Sequence, residues 1–259
     1  MHASSSLAEI LRRYKAGEIP LSEAEEQIEG LRLEKVEDIA CLDLGRSSRC
    51  GMPEVVLAEG KETEQLTAII RAYVNAAGRC LVTRADPLQA NAVETACARD
   101  GIDCTYHPVP RILVAARIPP PDRHGGIVGI ITAGTSDIRV AEEARIIAEE
   151  MGCTVRSAYD VGAAGIHRLF PAIRGMVDAQ VIIVAAGREG TLPAVVAGLV
   201  DVPVIGVPVS TGYGFQGEGR AALASMLQSC SVLTVVNIDA GFTAGAFAAR
   251  IARMVALHE

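Results

Sequence analysis

The chain has 259 residues, half of them apolar, with 25 glycines, no tryptophan and few aromatics, enough for a sizeable core, and the Ala, Val, Ile and Leu bias suits parallel strands buried on both faces. A net charge of −7 with scattered basic residues leaves no footprint for nucleic acid. Seven cysteines without a C-x-x-C pair argue against a disulfide framework or a zinc site, and no signal peptide or membrane-length apolar run is seen, so a soluble cytoplasmic protein with reduced thiols is expected, with no nucleic-acid or membrane partner.

Leu7, Ile10, Leu11 and Tyr14 recur at helical spacing after Ser6, and Ser22 with Glu25 makes a capping-box pattern before Ile28 and Leu31, so two short helices are expected first. Two β-like stretches, 39–44 and 54–59, flank the polar, glycine-bearing run 45–51, which reads as a loop gathering Arg46 and Arg49. From Thr63 the spacing of Leu66, Ile69, Ile70, Tyr73, Val74 and Ala77 predicts an amphipathic helix, followed by a strand near 80–83 and a helix over 87–99. Residues 1–118 thus form a helical and small α/β unit. The stiff run Ile118-Pro119-Pro120-Pro121-Asp122-Arg123-His124-Gly125 has the composition of a linker, which puts a second domain at 126–259.

In that second part, 129–132, 154–158, 181–186, 204–207 and 233–238 are apolar and β-rich, each joined to the next by a helical segment. Five such strands predict a parallel sheet with right-handed crossovers, whose ligands bind at the carboxyl ends of the strands. All five tips combine glycine with a polar side chain.

At the first tip Gly134 admits close backbone approach, and Thr135 and Ser136 offer hydroxyls and amides at a helix start, suited to phosphate or carboxylate. The plainer reading is that Ser136 or Asp137 caps the helix, and the two roles coexist. At the second, Asp160 precedes His167 and Arg168, a grouping of acid, imidazole and guanidinium, although His167 by itself reads as a surface or half-buried residue between the core-like Ile166 and Leu169. At the third, Glu189 follows a very apolar strand, where burial would raise its pKa for general-base or water-positioning work; the alternative is a solvated carboxylate beside Arg188. Ser210 to Gly214 lacks the Lys-Ser or Lys-Thr end of a P-loop, and no G-x-G-x-x-G with a downstream acid follows a strand, so a dinucleotide here would be substrate rather than redox cofactor. Cys230, alone between a helix and a strand, reads as a packing residue.

Taken together, Asp43-Leu44-Gly45-Arg46 with Arg49 and Gly51, Pro53-Glu54-Val55-Val56, Gly60-Lys61, residues 133–137, Tyr159-Asp160-Val161-Gly162, Gly165-Ile166-His167-Arg168, residues 187–190, Gly212-Tyr213-Gly214, Ser229-Cys230 and Asn237-Ile238-Asp239 resemble the LarB family from about residue 38 to 250. The second domain also resembles the PurE-type AIR carboxylase fold, which implies a flavodoxin-like three-layer parallel sheet. The resemblance implies an enzyme that carboxylates ring carbon five of the pyridinium of nicotinic acid adenine dinucleotide with CO2 or bicarbonate. It also implies hydrolysis of the phosphoanhydride, giving pyridinium-3,5-biscarboxylic acid mononucleotide and AMP, an early step of nickel-pincer cofactor synthesis. A pyridinium is electron-poor, so thiolate addition at carbon four makes an enamine whose carbon five attacks CO2, after which loss of the carbon-five proton and departure of the thiolate restore the aromatic ring.

By the same resemblance Cys230 is the nucleophile, against its reading as an isolated residue, and Glu189 serves hydrolysis or proton transfer, with Asp160 a further catalytic candidate. Substrate contacts are expected from Gly134, Thr135, Ser136, Asp137, His167, Arg168, Gly187, Ser210, Gly212, Tyr213, Asn237 and Asp239, and from the cations Arg46, Arg49 and Lys61, whose plain alternative is surface charge. Mg²⁺ is expected mainly on substrate phosphates, helped by Asp137, Asp160 or Asp239, with no redox cofactor. A homo-octamer is implied. Arg188 stands where the family commonly has methionine, and Ala163 where it commonly has valine; neither removes a group the chemistry needs, but Arg188 bears on substrate fit or on the proton affinity of Glu189. Two other readings stay open: carboxylation or carboxyl transfer on aminoimidazole ribonucleotide, and a nucleotide-binding regulator that senses a nicotinate dinucleotide without turnover.

Overall fold

The computed structural model describes residues 7–36, 38–212, 214 and 216–257. The chain forms two compact units, Met1–Pro119 and Pro120–Glu259.

In the first unit, α1 (Leu7–Lys15) and α2 (Leu21–Glu29) pack through Ile10, Ile19 and Ala24. The capping box expected at Ser22 and Glu25 is not formed: Pro20 takes the N-cap position, and Ser22 lies inside the first turn. An antiparallel ribbon follows, β1 (Leu33–Val36) with β2 (Ala40–Asp43). Where the composition predicts a loop, Arg46–Cys50 make a short helix, α3, ended by Gly51 at φ 68° and tied down by hydrogen bonds from Arg49 to Asp43 and the Gly30 carbonyl.

Next come β3 (Val55–Leu57), α4 (Thr63–Ala77), β4 (Arg79–Thr83), α5 (Pro87–Arg99), β5 (Asp103–His107) and β6 (Ile112–Ala116). The sheet order is β3-β4-β6-β5, with only the β3–β4 pair parallel. α4 and α5 bury Leu66, Ile69, Ile70, Val74, Val93 and Cys97 against it. α5 begins where sequence rules place it, with Pro87 at its first position and the Asp86 carboxylate accepting from the Leu88 and Gln89 amides at 2.8 and 2.9 Å.

The second unit alternates β7 (Ile127–Thr132), α6 (Ile138–Glu150), β8 (Thr154–Ala158), α7 (Leu169–Arg174), β9 (Val181–Ala186), α8 (Thr191–Ala197), β10 (Val204–Pro208), α9 (Arg220–Leu227), β11 (Thr234–Val235) and α10 (Gly241–Ala256). Its five strands are all parallel in the order β11-β10-β9-β7-β8. Counted from the first strand of the unit this is the flavodoxin-like order 2-1-3-4-5, with its switch point between β7 and β9. The expected α/β class, a parallel sheet preceded by a smaller α/β unit, is the one observed. All six residues of β9 are buried, as an apolar run covered on both faces requires. α6 and α10 pack together on one face, while Leu169, Met176, Leu192, Val196, Ala222 and Met226 bring α7, α8 and α9 onto the other. Only two residues of the expected last strand, 233–238, pair in the sheet.

Candidate functional site

The switch point opens a cleft of about 280 Å³ at the carboxyl ends of β7 and β9, lined by residues of four separate connections: 133–137, 162–164, 186–192 and 211–212. Thr135–Asp137 make one 3-10 turn before α6, and Ala163–Arg168 another after β8. The backbones here come close together. A Cβ on Gly212 would lie 2.3 Å from the Gly187 carbonyl oxygen, so the tips of β9 and β10 are seated directly on each other.

Asp137 is the cleft's buried acid, 3% exposed. Its Oδ2 reaches back to accept from the Gly134 amide at 2.8 Å, which closes the turn at the start of α6 and realises the capping role. Its Oδ1 is buried without a hydrogen-bond partner. That oxygen faces Gly187 and the Thr211 hydroxyl, which hold the carboxyl's acidity up in part although neither meets hydrogen-bond geometry. Burial outweighs them and pushes the carboxyl above the usual carboxylate range. An acid that keeps an unsatisfied oxygen in a cleft can accept a donor from a ligand or exchange a proton with it. Glu189 also lines the cleft but is exposed, and the burial expected of it is not found.

The comparisons with known proteins divide along the two units. The AIR carboxylase family matches residues 127–258, and a LarB/PurE-like N-terminal domain matches residues 33–117. The chain belongs to the AIR carboxylase family. With the N-terminal match it has the domain combination of the LarB type. An uncharacterized protein of Methanocaldococcus jannaschii is 42% identical over 96% of this chain and 98% of its own length. The N5-carboxyaminoimidazole ribonucleotide mutases of M. jannaschii and Thermotoga maritima are 35% and 33% identical, over 48% of this chain and 78% and 73% of theirs.

Within the AIR carboxylase unit, five of the residues expected at the site line the cleft: Gly134, Ser136, Asp137, Glu189 and Gly212. Gly187 stands behind it, where a Cβ would meet Asp137 Oδ1 at 3.0 Å. Thr135 is exposed beside the lining residues. Asp160, at φ 57°, is exposed and its Oδ2 accepts from Arg168 Nη1 at 2.8 Å, so acid and guanidinium do meet, but as an ion pair outside the cleft lining; His167 is exposed next to them. Asp239 accepts from the Ser210 amide at 2.9 Å and hydroxyl at 2.5 Å and pairs with Arg139 at 3.2 Å, which commits both oxygens to bracing the β10 tip. Asn237 turns its carbonyl oxygen onto the Ile238 amide. Tyr213 lies outside the described residues.

Cys230 is exposed between α9 and β11. α9 runs back from the β10 tip and β11 is parallel to β10, so Cys230 sits at the amino end of the sheet, opposite the cleft. Arg46, Arg49 and Lys61 belong to the first unit, where Arg49 is engaged with Asp43 and Gly30. Arg188, which the sequence marks as a departure bearing on substrate fit, lines the cleft; sequence reasoning did not assign Thr191 and Thr211 to the site, and their positions just past the ends of β9 and β10 were the available signal. Among the described residues no group of three or more His, Cys, Asp or Glu is arranged to hold a metal ion, and no helix is long and apolar enough to cross a membrane.

Proposed function

We propose that the protein adds a carboxyl group to a ring carbon of a nucleotide-borne nitrogen heterocycle held over the β7 and β9 tips. The observation that carries this reading is the AIR carboxylase match over the unit whose switch-point cleft holds the buried, unsatisfied Asp137. Carboxylation replaces a ring C–H by C–CO2⁻, so a proton must leave. A buried carboxyl with raised proton affinity, with Glu189 nearby in the same cleft, is suited to take it.

Two rings fit. The relatives with printed activities support aminoimidazole ribonucleotide, since N5-carboxyaminoimidazole ribonucleotide mutases align with this chain, although over less than half of it. The LarB-type N-terminal domain supports the pyridinium of nicotinic acid adenine dinucleotide, with AMP as coproduct. In the pyridinium reading Cys230 adds to the ring, and because it lies at the amino end of the sheet, it reaches a cleft only in another copy of the chain. A closed homo-oligomer such as an octamer supplies that arrangement. Mg²⁺ would ride mainly on substrate phosphates, with Asp137 Oδ1 and Glu189 as the nearby carboxylates; bound there it would neutralise phosphate charge. Asp160 and Asp239, each already paired, fit that role less well.

The test supplies purified protein and Mg²⁺ with labelled bicarbonate and either nicotinic acid adenine dinucleotide or aminoimidazole ribonucleotide, or with N5-carboxyaminoimidazole ribonucleotide labelled in its carboxyl, and follows products by mass spectrometry. Labelled biscarboxylate mononucleotide with AMP, abolished in Cys230→Ala, establishes the pyridinium reaction. Labelled carboxyaminoimidazole ribonucleotide that survives Cys230→Ala establishes the imidazole one. No label in either ring from folded protein sinks the proposal.

A further inference from the structure

The cleft presents a charge problem. Two of its side chains, Asp137 and Glu189, are acids, yet both substrates considered above carry phosphate, and the pyridinium carries a ring carboxylate as well. Like charges brought together in a partly enclosed site oppose binding unless cations offset them, and a Mg²⁺ shared among the phosphates leaves part of that charge, with the two acids, to be met by the protein. Among the described residues lining the cleft, one side chain is cationic, Arg188.

The placement of Arg188 is fixed from two sides. Its Cα lies 3.4 Å from where a Cβ on Gly212 would be, so the β10 tip presses on its backbone. Two residues on, Gly190 takes φ 68° and packs so tightly against α9 that a Cβ there would sit 2.6 Å from the Ala222 carbonyl oxygen. The base of the side chain is therefore held, and the exposed residue is among those that line the cleft. A guanidinium has five N–H donors, so a contact within the protein does not exhaust them; two of them can match two oxygens of a carboxylate or phosphate, and the group carries its charge at every physiological pH.

We propose that Arg188 is a specificity-determining residue that binds an oxyanion of the substrate, offsetting Asp137 and Glu189. This rests on the cleft being the substrate site proposed above.

The test is calorimetric titration of the wild type, Arg188→Met and Arg188→Lys with four ligands: nicotinic acid adenine dinucleotide, its nicotinamide counterpart, aminoimidazole ribonucleotide and inorganic pyrophosphate. Methionine keeps the length and removes the charge and donors. Loss of a charged hydrogen bond in a half-open cleft should weaken binding about tenfold, with lysine recovering part of it. If the nicotinate dinucleotide weakens and its nicotinamide counterpart does not, Arg188 reads the ring carboxylate; if both weaken, it reads phosphate. Either supports the proposal, as does weakened binding of aminoimidazole ribonucleotide should that prove to be the substrate. Pyrophosphate separates the two questions. If the wild type binds none of the nucleotides, the ring assignments fail, and loss of pyrophosphate binding in Arg188→Met still supports the oxyanion role. Unchanged binding in Arg188→Met of every ligand the wild type binds, or no oxyanion binding by the wild type at all, overturns it.

Discussion

Asp137 ties the start of a helix to the chemistry of a cleft. One oxygen closes the turn at Gly134, and the other is left buried and unsatisfied. Burial raises its folded-state pKa above the unfolded value, so the folded chain holds that proton to higher pH. The sign follows: its contribution is most favourable at low pH and is lost as pH rises from the ordinary carboxylate range through the raised value. Asp137→Asn removes the ionisation and keeps an oxygen for Gly134. Urea unfolding from about pH 4 to pH 7 should show the variant gaining stability relative to wild type as pH rises; parallel curves would mean the carboxyl carries no such penalty. Asp239 shows the opposite use of an acid. It too sits at a strand tip within a few residues of a glycine, Gly241, but its oxygens are spent on Ser210 and Arg139. Local sequence gives both residues the same signature, and only their partners in space tell a brace from a reactive group.

Among the elements, the close contact of α6 with α10 sets the thickness of one helical layer. A Cβ on Gly245 would lie 2.4 Å from the Ala144 carbonyl oxygen, a backbone atom that cannot swing aside. Alanine would gain up to about 1 kcal/mol of helix propensity, but separating two packed helices costs about 1–3 kcal/mol, so Gly245→Ala should be net destabilising by a lowered urea midpoint. β9 and α5 were legible because their signals are local: an apolar run ended by glycine, or an Asp-Pro start. β5 was not, since Asp103-Cys104-Thr105-Tyr106-His107 is a half-buried strand with little apolar alternation. α3 was missed because glycines at both ends read as loop, whereas Gly51 serves as its left-handed stop. At the site, Gly134, Ser136, Asp137, Glu189 and Gly212 followed from the rule that ligands gather at strand tips. Which tips adjoin one another depends on strand order, a long-range property, so the tip at 237–241 was ranked equally with those that meet in the cleft.

Taken as a whole molecule, the chain keeps its proposed nucleophile and its cleft at opposite ends of one sheet. If the pyridinium reaction is the right one, its active site is shared between copies. Cys230→Ala and Glu189→Gln, each inactive alone, should then regain activity when co-assembled, because some sites receive an intact cysteine from one copy and an intact cleft from another. Activity of the mixture no greater than that of the separate variants would place both groups in one copy or rule out the cysteine.

The switch-point order also sets a delay during synthesis. β8, the first partner of β7, begins soon after α6, but β9, which must close the other edge, starts some fifty residues after β7, as the 53-residue span of the Ile127–Gln180 hydrogen bond illustrates. At roughly 5–20 residues per second on the ribosome, the apolar edge of β7 waits for roughly 3–10 s before it can be covered. The edge that will carry the cleft is thus the one that waits longest for its partner, and the cost of placing a site at this topological break is a window of vulnerability to mispairing before the protein has any activity to protect.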